Sequence, residues 1–410
     1  MTEEIENHII EKFEIQKRLG KGAYGVVWKA TDRRNKETVA LKKIFDAFRN
    51  ATDSQRTFRE VMFLQEFGKH PNIIKLFNLY KADNDKDMYL VFEFMEADLH
   101  NVIKKGTILK DVHKQYIMCQ LFRAIRFLHT GNVLHRDLKP SNVLLDADCR
   151  VKLADFGLAR SLSSLEDYPE GQKMPELTEY VATRWYRSPE ILLAAKRYTK
   201  GVDTWSLGCI LGEMLLGRAL FPGASTINQI ERIMNTIARP TRLLIFAPHR
   251  RMTVEQCLVH PYVVQFHNPV EEPSLPYEVN LPLPDHIQLK VDDYRDYLYE
   301  LIKSKKFNRS SSLQRPSTAN GRKRAPIAQA ECSDTEFETE RSLQTSVDKT
   351  SVDSTERTLR ERAQSADSRG SRENSIGKVT GERRRSFEKS RLFSNLKPSK
   401  LIGHKLISNY

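Results

Sequence analysis

The stretch His135-Arg136-Asp137-Leu138-Lys139-Pro140-Ser141-Asn142 constrains this 410-residue chain more than any other, because Asp155-Phe156-Gly157 follows thirteen residues beyond Asn142. It follows a segment with helical spacing, Lys114 to Thr130, apolar at Ile117, Leu121, Ile125 and Leu128. Two short strand-like runs come next, Val143-Leu144-Leu145 and Val151-Lys152-Leu153, joined by a turn at Asp146-Ala147-Asp148. Folded as a hairpin, these runs bring Asn142 and Asp155 to neighbouring strand ends. Two converging oxygen ligands for a metal, beside an Asp137 free to accept a proton, are what phosphoryl transfer from a magnesium nucleotide requires.

The upstream chain supplies the matching phosphate-binding parts. From Phe13 the sequence alternates as a strand and reaches Leu19-Gly20-Lys21-Gly22-Ala23-Tyr24-Gly25-Val26-Val27. A lone G-x-G-x-x-G also serves dinucleotide folds, where a helix follows the last glycine. Here strand-like sequence continues through Trp28-Lys29-Ala30, which favours a glycine hairpin lying over a triphosphate. In Val39-Ala40-Leu41-Lys42, Ala40 is expected to flank the adenine and Lys42 to reach the phosphates, while Lys43 is expected at the surface. A helix is predicted over Asp53–Phe67, with Asp53 or Ser54 as N-cap and Glu60 as the partner of Lys42. Arg56 and Arg59 on it either face the segment after Gly157 or are ordinary surface charge. The apolar run Met88–Phe92 leads into a linker, where Glu93 and Met95 offer backbone groups to the adenine edge, Phe92 narrows the back of the pocket and Leu144 lies beneath the base. Asp98 is either a ribose acceptor or a helix N-cap. H-R-D-L-x-x-x-N followed by D-F-G, behind such a loop and lysine, is the compound pattern of a protein kinase.

Thr178-Glu179-Tyr180, followed by Val181-Ala182-Thr183-Arg184-Trp185-Tyr186-Arg187-Ser188-Pro189-Glu190, makes the resemblance more specific. Residues 8–238 resemble the mitogen-activated protein kinases of the extracellular-signal-regulated type, and the long Ser- and Arg-rich tail resembles the atypical branch of that family. The resemblance implies activation by phosphorylation of Thr178 and Tyr180, with autophosphorylation typical of that branch. Phosphothreonine 178 would gather Arg59, Arg136 and Arg160, and phosphotyrosine 180 would meet Arg184 and Arg187, because each phosphate adds nearly two charges and suits guanidinium forks. It further implies proline-directed Ser/Thr substrates and a cytoplasmic, ciliary or basal-body, centrosomal and nuclear location. Asp203, in Asp203-Thr204-Trp205-Ser206, is expected to hold the catalytic-loop backbone, with Leu211, Leu215 and Leu216 continuing a buried face.

The resemblance then breaks. Only nine residues, Arg239 to Ala247, separate the predicted helix Ile227–Ala238 from Pro248, where the family carries an insert and a further helix. Arg242–Phe246 reads as the last turn of a helix whose earlier part is absent, and the chain as an internally shortened isoform with a weakened C-lobe. Arg251 is the expected partner of Glu190. Glu271-Glu272 only partly matches the family's acidic docking patch, and Leu289–Ile302 matches the helix that packs back on the N-lobe through Tyr294, Tyr297, Leu298 and Leu301.

Composition decides the remaining questions. Residues 303–410 carry 24 Lys+Arg against 13 Asp+Glu, so +11 of the overall +13 lies there and the preceding 302 residues are nearly neutral. Total charge is therefore no argument for nucleic-acid binding. That stretch lacks Trp and is rich in Ser, Thr and Arg, the composition of a disordered tail. Arg322-Lys323-Arg324 and Arg383–Ser386 are candidates for a nuclear signal and a kinase site, with solvated charge the favoured reading of each, and tail-binding proteins would be partners of this stretch. Five scattered cysteines without metal spacing suit reduced thiols, and neither a signal peptide nor a membrane span is visible.

The expected fold is α+β: a bilobal protein kinase fold over residues 1–302, with a β-rich N-lobe at about 13–95, a helical C-lobe at about 96–265 and a C-terminal extension at 266–302. The expected activity is Ser/Thr protein phosphorylation with ATP and Mg²⁺, with Asp137 as base, Lys139 stabilising transferring charge, and Asn142 and Asp155 holding the metal. The rival reading is a catalytically impaired scaffold, favoured by the shortened C-lobe.

Overall fold

The computed structural model describes residues 4–22, 25–106, 108–163, 184–195, 199–236 and 242–304. Ala23, Tyr24, Thr178, Tyr180 and the tail from residue 305 lie outside the described residues. The fold is α+β in two lobes, as the motifs imply.

The N-lobe is a five-stranded antiparallel sheet of β1 (Phe13–Gly22), β2 (Gly25–Asp32), β3 (Thr38–Ile44), β4 (Leu76–Lys81) and β5 (Met88–Glu93), in the order β1-β2-β3-β5-β4. Strand alternation divides its residues by face. Phe13, Ala30, Val39, Leu41, Tyr89 and Val91 form one apolar cluster, and Val26 packs with Trp28 and Phe45 in another. The remaining face carries Val27, Ala40 and Lys42 into the cleft between the lobes.

A helix over Ala51–Phe67 packs beside this sheet, burying Phe58, Val61 and Leu64. Its N-cap is Asn50, whose side chain accepts from the Asp53 N–H at 2.8 Å, so the helix begins earlier than Asp53 or Ser54 would place it. The cap signal was one residue pattern upstream: Asn50 precedes Ala51, a better helix former than the polar residues after it.

The C-lobe is built around two largely buried helices, Asp111–Thr130 and Gly201–Leu216, the latter closed by Gly217 at φ 70°. The expected hairpin is present, with Val143 opposite Leu153 and Leu145 opposite Val151. Asp146 closes its turn by accepting from the N–H groups of Asp148 and Arg150. Helix Val291–Lys303 returns to the N-lobe and sets Tyr294 and Tyr297 against Phe58, with ring centroids 5.5 and 5.3 Å apart.

Two further expectations need correction. Lys43 is buried at 1% exposure, because its ammonium meets Glu6 at 3.2 Å, Asp87 at 3.4 Å and the Glu4 carbonyl at 2.9 Å, beside the Tyr89 ring. Arg242–Phe246 forms bends with no helical turn, and Leu243 and Leu244 are buried against Gly208. In the partly matching acidic pair, Glu272 is enclosed between Arg123 at 2.9 Å and His267 at 2.7 Å. The expected pair of Arg251 and Glu190 is bidentate, at 2.6 and 2.7 Å.

Candidate active site

The loop His135–Asn142 is held in place from below. Asp203, fully buried, accepts from the His135 N–H at 3.0 Å and the Arg136 N–H at 2.9 Å, and meets His129 Nε2 at 3.0 Å. Burial alone would raise the Asp203 carboxyl. The hydrogen bond and charge of His129, with help from His135 and the Arg136 N–H, outweigh it and hold the carboxyl below its usual value. This grip lets Arg136 adopt φ 68°, a conformation that an unsupported residue avoids.

His135 is driven toward the neutral form by burial. Its Nδ1 accepts from the Asp137 N–H at 3.3 Å and its Nε2 faces the Ala154 carbonyl at 3.2 Å. One imidazole therefore ties the segment carrying Asp137 to the segment carrying Asp155. Phe156 packs between His135 and Phe67, with centroids 4.9 and 5.8 Å away, which seats Asp155 facing the cleft at φ 65°.

Lys139 Nζ donates to Asp137 Oδ2 at 2.6 Å. Asn142 Nδ2 donates to the Asp137 carbonyl at 2.9 Å and to Oδ2 at 3.2 Å, which commits the amide nitrogen and leaves the amide oxygen as its ligand atom. Across the cleft, Lys42 Nζ donates to Glu60 Oε1 at 2.6 Å. Burial, then the nearby Asp155 charge, raises the Asp137 carboxyl despite Lys139. Burial would raise Asp155 too, but Arg56, Lys42 and Lys139 together pull it down. Neighbouring carboxylates pushed in opposite directions suit different tasks, a proton acceptor and a metal ligand.

All of these groups border one cavity of about 1050 Å³. Its roof is Leu19, Gly20, Lys21, Gly22, Gly25 and Val27; its walls include Ala40, Lys42, Glu60, Phe92, Glu93 and Met95; its floor is Asp137, Lys139, Asn142, Leu144 and Asp155. A Cβ on Gly20 would meet nothing within 4 Å, whereas one on Gly25 would lie 2.0 Å from the Lys43 carbonyl oxygen. Gly25 is thus required by close strand packing, and Gly20 keeps the roof clear. Val26 does not line the cavity: alternation turns it into the core. Asp98 accepts from the Asn101 N–H at 2.9 Å as a helix cap while bordering the cavity mouth.

Among the described residues no cluster of three or more His, Cys, Asp or Glu could hold a metal by itself. Asn142 and Asp155 fit an ion that completes its shell with phosphate oxygens and water, as Mg²⁺ does.

The arginines assigned to phosphate divide. Arg59 Nε donates to Asp285 Oδ1, and Arg160 Nε lies 3.5 Å from Asp285 Oδ2. Arg136 is buried in the catalytic loop. Arg184 donates to the Ala224 carbonyl at 3.2 Å, and Arg187 is half-buried nearby. Arg56 reaches Asp155 at 3.9 Å. Sequence reading overlooked Asp285, for a lone acid in the Pro-rich stretch 279–289 carries no local signal.

A family model described as "Protein kinase domain" matches residues 13–263. The chain is 68% identical to "Mitogen-activated protein kinase 15" of Caenorhabditis elegans over the whole of both chains. It is 57% identical to the Xenopus laevis protein of that name over 78% of this chain and 63% of the relative. It is 50% identical to "Extracellular signal-regulated kinase 2" of Dictyostelium discoideum over 75% of this chain and 95% of the relative.

Proposed function

The chain belongs to the mitogen-activated protein kinases, in the branch of mitogen-activated protein kinase 15, and we propose how its residues carry out that family's Ser/Thr protein phosphorylation. Asp137 orients the substrate hydroxyl and accepts its proton, a role that its raised carboxyl favours. Lys139, 2.6 Å from Asp137, stabilises charge on the transferring group, and Lys42 holds the nucleotide phosphates while Glu60 fixes its ammonium. Leu19, Gly20, Lys21, Gly22, Ala23, Tyr24, Gly25, Val27, Ala40, Glu93, Met95 and Leu144 enclose ATP. Asn142 and Asp155 hold Mg²⁺, which when bound neutralises phosphate charge. The kinase unit is residues 1–302, followed by the basic tail.

Selection of Ser/Thr-Pro substrates, activation at Thr178 and Tyr180 by autophosphorylation, reception of those phosphates by Arg59, Arg136, Arg160, Arg184 and Arg187, and a cytoplasmic, ciliary, centrosomal and nuclear location belong to the same proposal. They rest on the family and on the quoted motifs. Among the described residues no helix is long and apolar enough to cross a membrane.

The observation that carries the reading is the 2.6 Å contact of Lys42 with Glu60, facing Asp137, Asn142 and Asp155 across a single cavity. The test is transfer of labelled γ-phosphate by the purified chain to a Ser-Pro peptide and to its Ser-Ala counterpart, beside a Lys42→Arg control. Transfer above the control, preferring Ser-Pro, supports the proposal, and transfer equal to the control overturns it. A second reading, a scaffold of low activity, is favoured by the short segment 239–247 and by Ile227 and Met234 left 73% and 64% exposed on helix Thr226–Thr236.

A further inference from the structure

Asp285 lies 226 residues along the chain from Arg59, in the stretch leading to the C-terminal helix, yet only 7% of it is exposed. Its Oδ1 accepts from Arg59 Nε, and its Oδ2 stands 3.5 Å from Arg160 Nε. Arg59 belongs to the helix Ala51–Phe67; Arg160 follows the Asp155-Phe156-Gly157 turn and pairs with Leu134, next to the catalytic loop. One carboxylate therefore joins the helix Ala51–Phe67 of the N-lobe to the strand beside the catalytic loop of the C-lobe.

The surrounding contacts hold Asp285 on the helix side. Arg59 Nη2 donates to its carbonyl at 3.4 Å, and Gln55 Nε2 donates to the carbonyls of Asp285 at 3.5 Å and Ile287 at 3.3 Å. Gln288 Nε2 donates to Thr52 Oγ1 at 2.8 Å. Thr52, Gln55 and Arg59 are spaced along one helical face, and Glu60, next in sequence, holds Lys42.

We propose that Asp285 is a positioning residue for phosphoryl transfer, a built-in anion that bridges Arg59 and Arg160 and keeps Glu60 on Lys42 before any phosphate is attached to Thr178. The inference rests on the kinase reading above, in which the same arginines receive phosphothreonine. The chemistry of the exchange is direct: a carboxylate offers two acceptor oxygens and one charge, a phosphate three oxygens and nearly two charges. Two guanidinium groups withdrawn from water need an anion between them, and Asp285 supplies it from the chain itself.

The experiment uses the full chain in a Thr178→Ala background, comparing native Asp285 with Asp285→Asn and Asp285→Glu. The same Asp285→Asn change is made in protein phosphorylated at Thr178. Read-outs are kcat, the KM for ATP and the melting temperature. In the Thr178→Ala background, Asp285→Asn lowers kcat about tenfold, the scale of one lost charge-assisted bond, and Asp285→Glu restores it to within about threefold. With phosphothreonine present, Asp285→Asn costs less than about twofold, because the phosphate takes over the bridge. Equal losses in both backgrounds, following the melting temperature, would show a purely structural role and overturn the proposal. So would an unchanged kcat, or a Thr178→Ala chain that transfers no phosphate while the phosphorylated chain does. Absence of transfer from every form, phosphorylated protein included, would defeat the kinase reading and this proposal with it.

Discussion

Lys42 Nζ and Glu60 Oε1 stand 2.6 Å apart although they belong to different elements, strand β3 and the helix beside it. Glu60 is almost wholly enclosed, and Lys42 keeps about a quarter of its side chain, 24%, open to the cleft. The pair thus fixes an ammonium group at the cavity wall without consuming all three of its donors.

Lys42→Met is expected to lower kcat/KM by about a hundredfold or more, since it deletes a fixed cation facing the transferring charge. Its melting temperature should fall as well, because Glu60 is left enclosed without its cation. Glu60→Gln keeps the lysine and should lose less, about tenfold, chiefly through a poorly placed ammonium. Steady-state kinetics with melting curves on the same preparations checks both.

Acid should destabilise the fold through buried histidines. Burial, aided by the charges of Lys152 and Arg123, pushes His70 from 6.5 down to about 3, and burial drives His135 the same way. Between those values the unfolded chain binds a proton at His70 that the folded chain refuses. The His70 contribution is therefore complete above pH 6.5 and falls with acidification, by about 1.4 kcal/mol per pH unit. Denaturant titrations from pH 7 to pH 5 should show this slope, and His70→Gln should reduce it by about one proton.

Gly25→Ala should cost about 2 kcal/mol or more, because the new methyl would lie 2.0 Å from the Lys43 carbonyl oxygen and β2 would have to part from β3. Gly20→Ala meets nothing within 4 Å and should change stability by less than about 0.5 kcal/mol. Chemical denaturation of the two variants separates a glycine needed for packing from one that clears the roof.

Arg251→Lys should destabilise the C-lobe by about 3 kcal/mol, because a lysine cannot reproduce the fork. The guanidinium holds both Glu190 oxygens and the carbonyls of Ile245, Gly201 and Phe246 while lying 5.0 Å from the Trp205 ring centroid. A shift in denaturation midpoint at unchanged slope would register it.

Leu244→Ala should cost about 2–5 kcal/mol, since Leu244 fills the space over Gly208 where the chain is shortened. Met234→Lys, at a position 64% exposed, should leave stability nearly unchanged. Paired melts of these variants show whether the short segment has become part of the core.

The catalytic apparatus was legible because phosphoryl transfer confines its residue types to short, ordered motifs. Asp137, Asn142, Asp155, Lys42 and Glu60 all face the cavity that their spacing implied. Local patterning also revealed the Val143–Leu153 hairpin and the stripe of the last helix. What stayed hidden depends on contacts between distant segments. Lys43 read as a surface charge because nothing near it in sequence announces Glu6 or Asp87. Asp285 is a single acid whose partners lie more than a hundred residues away, and the Arg123 partner of Glu272 is equally distant in sequence. Val26 was grouped with its glycine-loop neighbours, although strand alternation points it inward.

The buried ammonium of Lys43 makes the first few residues of the chain part of the nucleotide-binding lobe. Glu4 and Glu6 lie well ahead of Phe13, where the sheet begins, so trimming back to the first strand would spare every pairing of the sheet. Yet it would remove two of the three groups that surround that cation and leave the Tyr89 hydroxyl without its carboxylate. Lys43 adjoins Lys42 on β3, so a proteolytic nick after Glu6 would be felt one residue from the phosphate-holding lysine. The amino-terminal leader is in this sense a clasp, and its loss should register as weakened nucleotide affinity in a molecule whose every catalytic side chain is intact.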